Sequence, residues 1–158
     1  VKRGVLSAIR DILLPKADFV VPNKSELFWL SGQAVDDTST MISAARKLLQ
    51  NGPRTIFVTG LVEDKQIANY AINRIGVWRA AGRYIDKKFN GTGDFFSALV
   101  TGLLLNGYEV PNLLSIATSA CELLTLKTQK RGTKELAVVP SLQELNLEKI
   151  SVTVEKIA

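Results

Sequence analysis

Residues 89–107 read FNGTGDFFSALVTGLLLNG, and this stretch indicates the secondary structure around which the rest of the chain is arranged. Two glycines and a threonine lead into Asp94, and a long apolar run follows that closes at Asn106-Gly107. The run predicts a helix over 93–105, because it is too long for a strand and an Asn-Gly pair is typical of a helix end. Its apolar side chains cover most of the circumference, so we expect the helix to be buried nearly all round.

Helical and strand patterns alternate on either side of this helix. Further helices are predicted over 5–14, 24–30, 38–50 and 111–126, and strands over 19–21, 55–58, 66–72, 76–80 and 136–139. The alternation predicts an α/β protein with a mostly parallel sheet. The strands are few for such a sheet and the first residue is Val rather than Met, so we expect residues 1–158 to be one part of a larger domain.

The composition excludes several kinds of site. The chain has 158 residues, of which 46% are hydrophobic and 22% charged, as in ordinary globular proteins. No apolar run approaches the ~20 residues of a membrane span, and the start of the chain lacks a signal-peptide pattern. Histidine is absent, which excludes His-based triads and most zinc sites. Proton transfer would have to use Asp, Glu, Lys, Tyr or Cys.

The net charge of +5 does not by itself indicate a nucleic-acid partner. The lysines and arginines are scattered, aromatic residues do not interleave with them, and no recognition motif is present. The single cysteine, Cys121, lies in an apolar helical pattern and is expected to be a buried, inert thiol. We therefore expect neither a nucleic acid nor a membrane among the partners.

The glycine loop before Asp94 suits an anion. Glycines let backbone N–H groups turn inward, and the helix that follows directs its positive end to the same place. These two features favour a phosphate site, beside which Asp94 could accept a proton from an attacking hydroxyl. A helix-capping role explains the same residues, because Asp at a helix start complements the dipole.

Two further segments follow predicted strands. In Pro22-Asn23-Lys24-Ser25-Glu26, an amide and a carboxylate are three residues apart, which suits either a hydrated Mg²⁺ or the reciprocal cap of a helix start. Thr59 follows the strand over 55–58 and precedes Gly60. Ligands of open α/β sheets bind beyond the carboxyl ends of strands, so Thr59 could contact a phosphate, although an ordinary turn explains it equally well.

Taken together, the three segments carry a resemblance. P-N-x-x-E at 22–26, a strand ending in Thr-Gly at 59–60, and N-G-T-G-D-F-F at 90–96 resemble the ribokinase-like small-molecule kinases. Within that group the chain is most similar to the pyridoxal (pyridoxine) kinases, where G-T-G-D-[LF]-F is typical and G-A-G-D marks the sugar kinases. The resemblance spans nearly all of the chain but only the C-terminal half of the family's domain.

This resemblance implies a fold and a catalytic site. The fold would be a three-layer α/β/α ribokinase-like domain with a mostly parallel central sheet, here incomplete. Asp94 would be the base that deprotonates the hydroxymethyl group of pyridoxal, pyridoxine or pyridoxamine. Gly91, Thr92 and Gly93 would form the anion hole around the transferred phosphoryl group.

The resemblance also implies cofactors and partners. Asn23 and Glu26 would organise Mg²⁺ and the phosphates of ATP, Glu26 through a water molecule, and Thr59 would contact a phosphate of ATP. K⁺ stays open as a further cofactor. The expected partners are ATP and a B6 vitamer, and the expected state is a cytoplasmic homodimer.

Two alternatives remain at this point. The chain could belong to another ribokinase-like kinase that acts on a sugar, a nucleoside or the hydroxymethylpyrimidine of thiamine synthesis. That last group usually carries Cys at the position of Asp94. A non-catalytic nucleotide-binding fragment is the second alternative, in which the glycine loop binds phosphate and no transfer occurs.

Overall fold

The computed structural model describes residues 3–146 and 152–158. The α-helices in these ranges are α1 Arg3–Ala8, α2 Lys24–Ser31, α3 Thr38–Leu49, α4 Thr92–Leu105 and α5 Val110–Arg131. The strands are β1 Phe19–Val20, β2 Thr55–Glu63, β3 Gln66–Asn73, β4 Val77–Arg83 and β5 Val154–Lys156. No helix within the described ranges has the length and apolar character that crossing a membrane requires.

The strands form one sheet in the order β1-β2-β3-β4-β5. β1 pairs with β2 in parallel, with Phe19 opposite Thr55 and Val20 opposite Ile56. The links from β2 to β3 and from β3 to β4 are far too short for a parallel crossover, so these pairs are antiparallel. The α/β class is confirmed, and the sheet is mixed where the alternation of patterns indicated a mostly parallel one.

The β2–β3 turn has a local cause in the sequence. Asp64 and Lys65 have φ values of 45° and 64°, as a two-residue hairpin turn with positive φ at both positions requires. This turn lets the chain reverse at once, so β2 and β3 become neighbours without an intervening helix.

The chain divides into two compact units. The first contains the chain up to Leu61, with Asn69–Trp78 and Lys156–Ala158. Its core includes fully buried side chains from α3 and from β2. Those of α3 are Met41, Ala44, Ala45 and Leu48, and those of β2 are Ile56, Phe57 and Val58. α3 presents a buried face because its apolar residues recur at helical spacing, and Asp37 caps its start by accepting a hydrogen bond from the Thr40 N–H at 2.7 Å.

The second unit contains Val62–Ala68 and Arg79–Glu155, and its core lies along α4 and α5. Helix α5 buries much of its length and ends at Gly132, whose φ of 72° is the left-handed conformation typical of a helix C-terminus. Helix α4 buries only Phe96, Val100 and Leu103. The expectation that α4 is buried nearly all round is therefore wrong for the described chain, where Leu105 is 83% exposed.

Two other expectations need correction. Residues 136–139 do not form a strand, and the neighbouring Glu135 makes only an isolated parallel bridge, with Asn90. The predicted helix over 5–14 is present but irregular, because α1 continues as a π-helical turn over Ile9–Leu13 and a 3₁₀ turn over Leu14–Lys16. Pro15 lies in that last turn, which ends at Lys16, and Ala17 is extended.

Candidate functional site

Helix α4 begins at the glycine loop without a side-chain cap. Gly91 is its N-cap residue, with a φ of 88°, and the Gly91 carbonyl accepts a hydrogen bond from the Phe95 N–H at 2.9 Å. The first N–H groups of a helix have no intrahelical partner, and Gly91 has no side chain to offer them. The N–H groups of Thr92, Gly93 and Asp94 therefore point out of a positively polarised helix end, which is the arrangement an anion site needs.

Asp94 lies in the first turn of α4 and is exposed. Within the described part of the chain its carboxylate makes no side-chain hydrogen bond or ion pair. Asp94 is not the cap of this helix, because no side chain caps the start of α4, but as the acidic residue of the first turn it still complements the helix dipole. What remains is a free carboxylate beside a row of unpaired donors.

The position of Asp94 differs from the sequence-based expectation in one respect. Full burial of α4 would have placed its N-terminus in a cleft at the edge of a core. A groove of about 400 Å³ does follow α4, but it is lined by Phe95, Leu99 and Tyr108 among others and not by Asp94. In the described chain the carboxylate stands on the surface.

The residue before the glycine loop is tied to a segment far away in sequence. Asn90 N–H donates to the Lys134 carbonyl at 2.9 Å, and its own carbonyl accepts from the Leu136 N–H at 3.0 Å. The Asn90 side-chain amide also donates to Glu135 Oε1 at 2.7 Å. Glu135 was not predicted as a site residue from the sequence. The only signal for it there is the polar Asn90, directly before the glycine loop.

In the first unit, Asn23 and Glu26 form a reciprocal cap at the start of α2. The Glu26 N–H donates to Asn23 Oδ1 at 2.9 Å, and the Asn23 N–H donates to Glu26 Oε2 at 2.9 Å. This capping box is one of the two interpretations that the spacing left open, and the structure shows it directly.

The cap leaves room for a metal role. Glu26 is exposed and engages only Oε2 in the cap, so Oε1 can accept from a water molecule of a hydrated ion. Mg²⁺ keeps several waters and takes few protein ligands, so a single carboxylate with an amide beside it fits its chemistry. Over residues 3–146 and 152–158 there is no group of three or more Asp, Glu, Cys or His that could form a full protein cage.

Thr59 lies next to this cap. Its N–H donates to the Pro22 carbonyl at 3.0 Å, and Thr59 forms an isolated parallel bridge with Asn23. Thr59 lies inside β2 rather than just beyond a strand end, because β2 continues to Glu63. The strand accommodates Gly60 with a φ of 76°, and the Gly60 N–H donates to Asn69 Oδ1 at 3.0 Å.

The structure thus brings together two separate sets of the predicted site residues. Asn23, Glu26 and Thr59 are neighbours in the first unit. Gly91, Thr92, Gly93 and Asp94 are consecutive at the start of α4 in the second unit.

Comparison with curated proteins identifies relatives of the whole chain. A pyridoxal kinase, PdxY, of Rubrobacter xylanophilus is 32% identical over 163 aligned residues, which cover 100% of this chain and 56% of the relative. A pyridoxal kinase PdxY of Deinococcus radiodurans is 33% identical and aligns with 83% of this chain and 47% of its own length. The chain therefore spans about half the length of the curated relatives it matches.

Solved structures support the same relationship at the level of the fold. Pyridoxal kinase from Leishmania donovani, in complex with ADP and pyridoxine, superimposes with a TM-score of 0.89 over 99% of this chain and 57% of its own, at 24% identity. The curated relatives confirm the resemblance to pyridoxal kinases, and the superposition confirms the ribokinase-like fold. The family model of phosphomethylpyrimidine kinases matches residues 1–135. The chain belongs to the phosphomethylpyrimidine kinase family.

Proposed function

We propose that this chain is the ATP- and magnesium-binding, catalytic C-terminal part of a kinase that phosphorylates the 5′-hydroxymethyl group of a B6 vitamer. The observation that carries the proposal is the uncapped start of α4, where Asp94 is a free carboxylate beside N–H groups without partners. The names of the curated relatives support the choice of substrate class.

The chemistry follows from these groups. Asp94 accepts the proton of the vitamer hydroxyl while the hydroxyl oxygen attacks the γ-phosphorus of ATP. The new O–P bond forms as the bond between the γ-phosphorus and the β,γ-bridging oxygen breaks, and ADP leaves with that electron pair. The N–H groups of Thr92 and Gly93 stabilise the charge on the transferred phosphoryl oxygens, where a preorganised donor contributes roughly 3–4 kcal/mol in acyl-transfer enzymes.

The first unit has a binding role in this proposal. Glu26 Oε1 and the Asn23 side chain would hold the waters of Mg²⁺, and the Thr59 hydroxyl would contact a phosphate of ATP. When bound, Mg²⁺ neutralises charge on the phosphate oxygens. K⁺ enters the proposal only as an activator, and replacement of K⁺ by Na⁺ in the assay tests it.

Asp94→Asn is the decisive variant, because it keeps the shape and removes the base. We expect turnover to fall by about 10²–10⁴-fold while ATP affinity is kept, since a general base acts mainly in the transition state. Asp64→Asn is the matched control, because it removes an exposed carboxylate at a hairpin turn whose φ of 45° suits Asn. Turnover that survives Asp94→Asn would overturn the assigned base.

A panel of acceptors separates the candidate substrates. The assay follows ADP release with pyridoxal, pyridoxine, pyridoxamine, hydroxymethylpyrimidine, a sugar and a nucleoside. We expect B6 vitamers to be preferred, and the family description makes hydroxymethylpyrimidine the second candidate. ATP binding without transfer to any acceptor would support a non-catalytic nucleotide-binding fragment instead.

The proposal extends to a cytoplasmic homodimer. The assignment of a cytoplasmic homodimer rests on the resemblance to pyridoxal kinases alone. Light scattering of the purified protein tests the dimer, because a monomeric mass at micromolar concentration would contradict it.

A further inference from the structure

Three hydrogen bonds hold Asn90, the residue directly before the glycine loop. Two backbone hydrogen bonds join Asn90 to Lys134 and Leu136, as in a short parallel bridge. The Asn90–Glu135 side-chain bond of 2.7 Å adds a third contact, and its acceptor is a carboxylate, which makes it one of the stronger kinds of hydrogen bond. All three contacts lie immediately before Gly91.

The segment that holds Asn90 is itself anchored in the core. The Ala137 N–H donates to the Thr128 hydroxyl at 3.0 Å, and that hydroxyl donates to the Leu124 carbonyl at 2.7 Å. Thr128 is fully buried on α5. Glu135 is therefore presented from a segment whose backbone is fixed to a buried helix two residues away.

Asn90 leads directly into the start of α4. Gly91 is the N-cap residue in the left-handed conformation, α4 has no side-chain cap, and the Gly91 carbonyl accepts from the Phe95 N–H at 2.9 Å. The N–H groups of Thr92 and Gly93 follow the direction of α4, and the contacts of Asn90 fix the point at which the chain enters that helix.

We propose that Asn90 and Glu135 are a positioning pair for phosphoryl transfer. Their hydrogen bond fixes the glycine loop so that its N–H groups and Asp94 keep one geometry, although neither side chain touches the substrate. This inference rests on the proposed kinase function for its catalytic consequence. Both residues are exposed, and an exposed pair adds little to the free energy of folding, so their contribution is to geometry rather than to stability.

The test is a double-mutant cycle of Asn90→Ala and Glu135→Ala in the purified protein. We expect each single variant to lower kcat by at least about tenfold, because small misplacements of reacting groups have large effects on rate. The KM for ATP should stay within about twofold, and the double variant should be no slower than either single one, because both changes remove the same bond. Glu135→Gln keeps an acceptor oxygen and should retain most of the turnover.

A second measurement does not depend on activity. Backbone ¹⁵N relaxation reports the order parameters of the Gly91, Thr92 and Gly93 amides. We expect order parameters of about 0.85 in the parent protein and a clear decrease in Asn90→Ala and Glu135→Ala, while the order parameters of the α5 amides are unchanged.

The possible outcomes separate the inference from the proposed function. If the parent protein transfers phosphate to no acceptor, the kinase proposal fails, and the relaxation data still decide whether the pair orders the loop. The positioning role is wrong if the parent is active and the single variants leave kcat unchanged. It is also wrong if the two losses in kcat multiply in the double variant. A fall in melting temperature that accounts for the loss of activity would also overturn it, because it would show a merely structural contact.

Discussion

Gly91 and Gly93 have different reasons to lack a side chain. Gly91 has a φ of 88°, which L-residues with a side chain rarely adopt. Gly93 has no such conformation, and a Cβ built there meets no atom within 4 Å. The fold therefore requires glycine at 91 but not at 93. In the proposed anion hole, a side chain at 93 would oppose a phosphate that approaches the backbone.

Gly93→Ala tests this difference. We predict that the free energy of unfolding stays the same or rises by up to about 1 kcal/mol, since Ala is the better helix former. Phosphoryl transfer should fall by at least about tenfold, because the methyl group intrudes where the phosphate lies. Gly102→Ala in the same helix is the control, because it also meets nothing within 4 Å and should leave turnover unchanged. Equal activity of the two variants would remove Gly93 from the anion hole.

Cys121 provides a prediction on pH. Burial raises the pKa of its thiol from 9.0 to about 12, and the residue is 7% exposed. Because the folded pKa lies above the unfolded one, the unfolded state loses its proton first as pH rises above about 9. The stability that this thiol contributes is thus fully present below pH 9.0 and is lost progressively between pH 9.0 and about 12.

Urea unfolding at several pH values measures this loss. The difference in unfolding free energy between the parent and Cys121→Ala should be constant up to about pH 8, and should then decrease with a limiting slope of about 1.4 kcal/mol per pH unit. Lysine and tyrosine titrations are common to both proteins and cancel in the difference. A difference that does not change across this range would mean that the thiol is accessible to solvent.

At the scale of the elements, two helix ends were predicted well because their signals are local. α4 ends at Leu105 as predicted, and α2 ends at Ser31, one residue beyond the predicted end, with Gly32 in the left-handed conformation. α5 was predicted to end at 126 but continues to Arg131, where Gly132 ends it. Strand assignments were weaker. Residues 136–139 have strand-like composition, but the Leu136 N–H donates to Asn90, the Ala137 N–H to Thr128, and the Val138 N–H to a local turn. These tertiary contacts cannot be predicted from composition. The apolar circumference of α4 predicts burial but does not say which partner covers each face.

The capping box of α2 allows the cap and the metal role of Glu26 to be separated. Gln serves in a capping box as Glu does, so Glu26→Gln should change the unfolding free energy by less than about 0.5 kcal/mol. It removes the carboxylate, so the Mg²⁺ concentration for half-maximal turnover should rise by about 10–100-fold. Calorimetric titration of Mg²⁺ in the presence of ATP provides a readout independent of turnover.

Asn23→Ala is the complementary variant. It removes the N-cap acceptor and should lower the unfolding free energy by about 1 kcal/mol. If Glu26→Gln leaves the Mg²⁺ requirement unchanged, the carboxylate is a cap and nothing more.

At the scale of the whole molecule, the sequence indicated candidate segments for the chemistry but not how distant segments meet. Asn23 and Thr59 become neighbours only through the parallel pairing of β1 with β2. Asn90 and Glu135 are 45 positions apart, and neither belongs to a periodic pattern that would pair them. Motifs at element ends are local and can be found in one sequence, whereas contacts that fix a loop depend on the tertiary path of the chain.

Binding of a ligand should raise the free energy of unfolding of the chain. A ligand that binds only the native state at a hundred times its Kd stabilises it by about 2.7 kcal/mol. With ATP and Mg²⁺, we expect the parent and Asp94→Asn to gain this stability alike, because the base is not needed for binding. Gly93→Ala should gain much less, because its methyl group opposes the phosphates at the glycine loop. Adenosine, which has no phosphates, should stabilise all three proteins equally; a smaller gain for Gly93→Ala with adenosine as well would indicate a general defect rather than a phosphate contact.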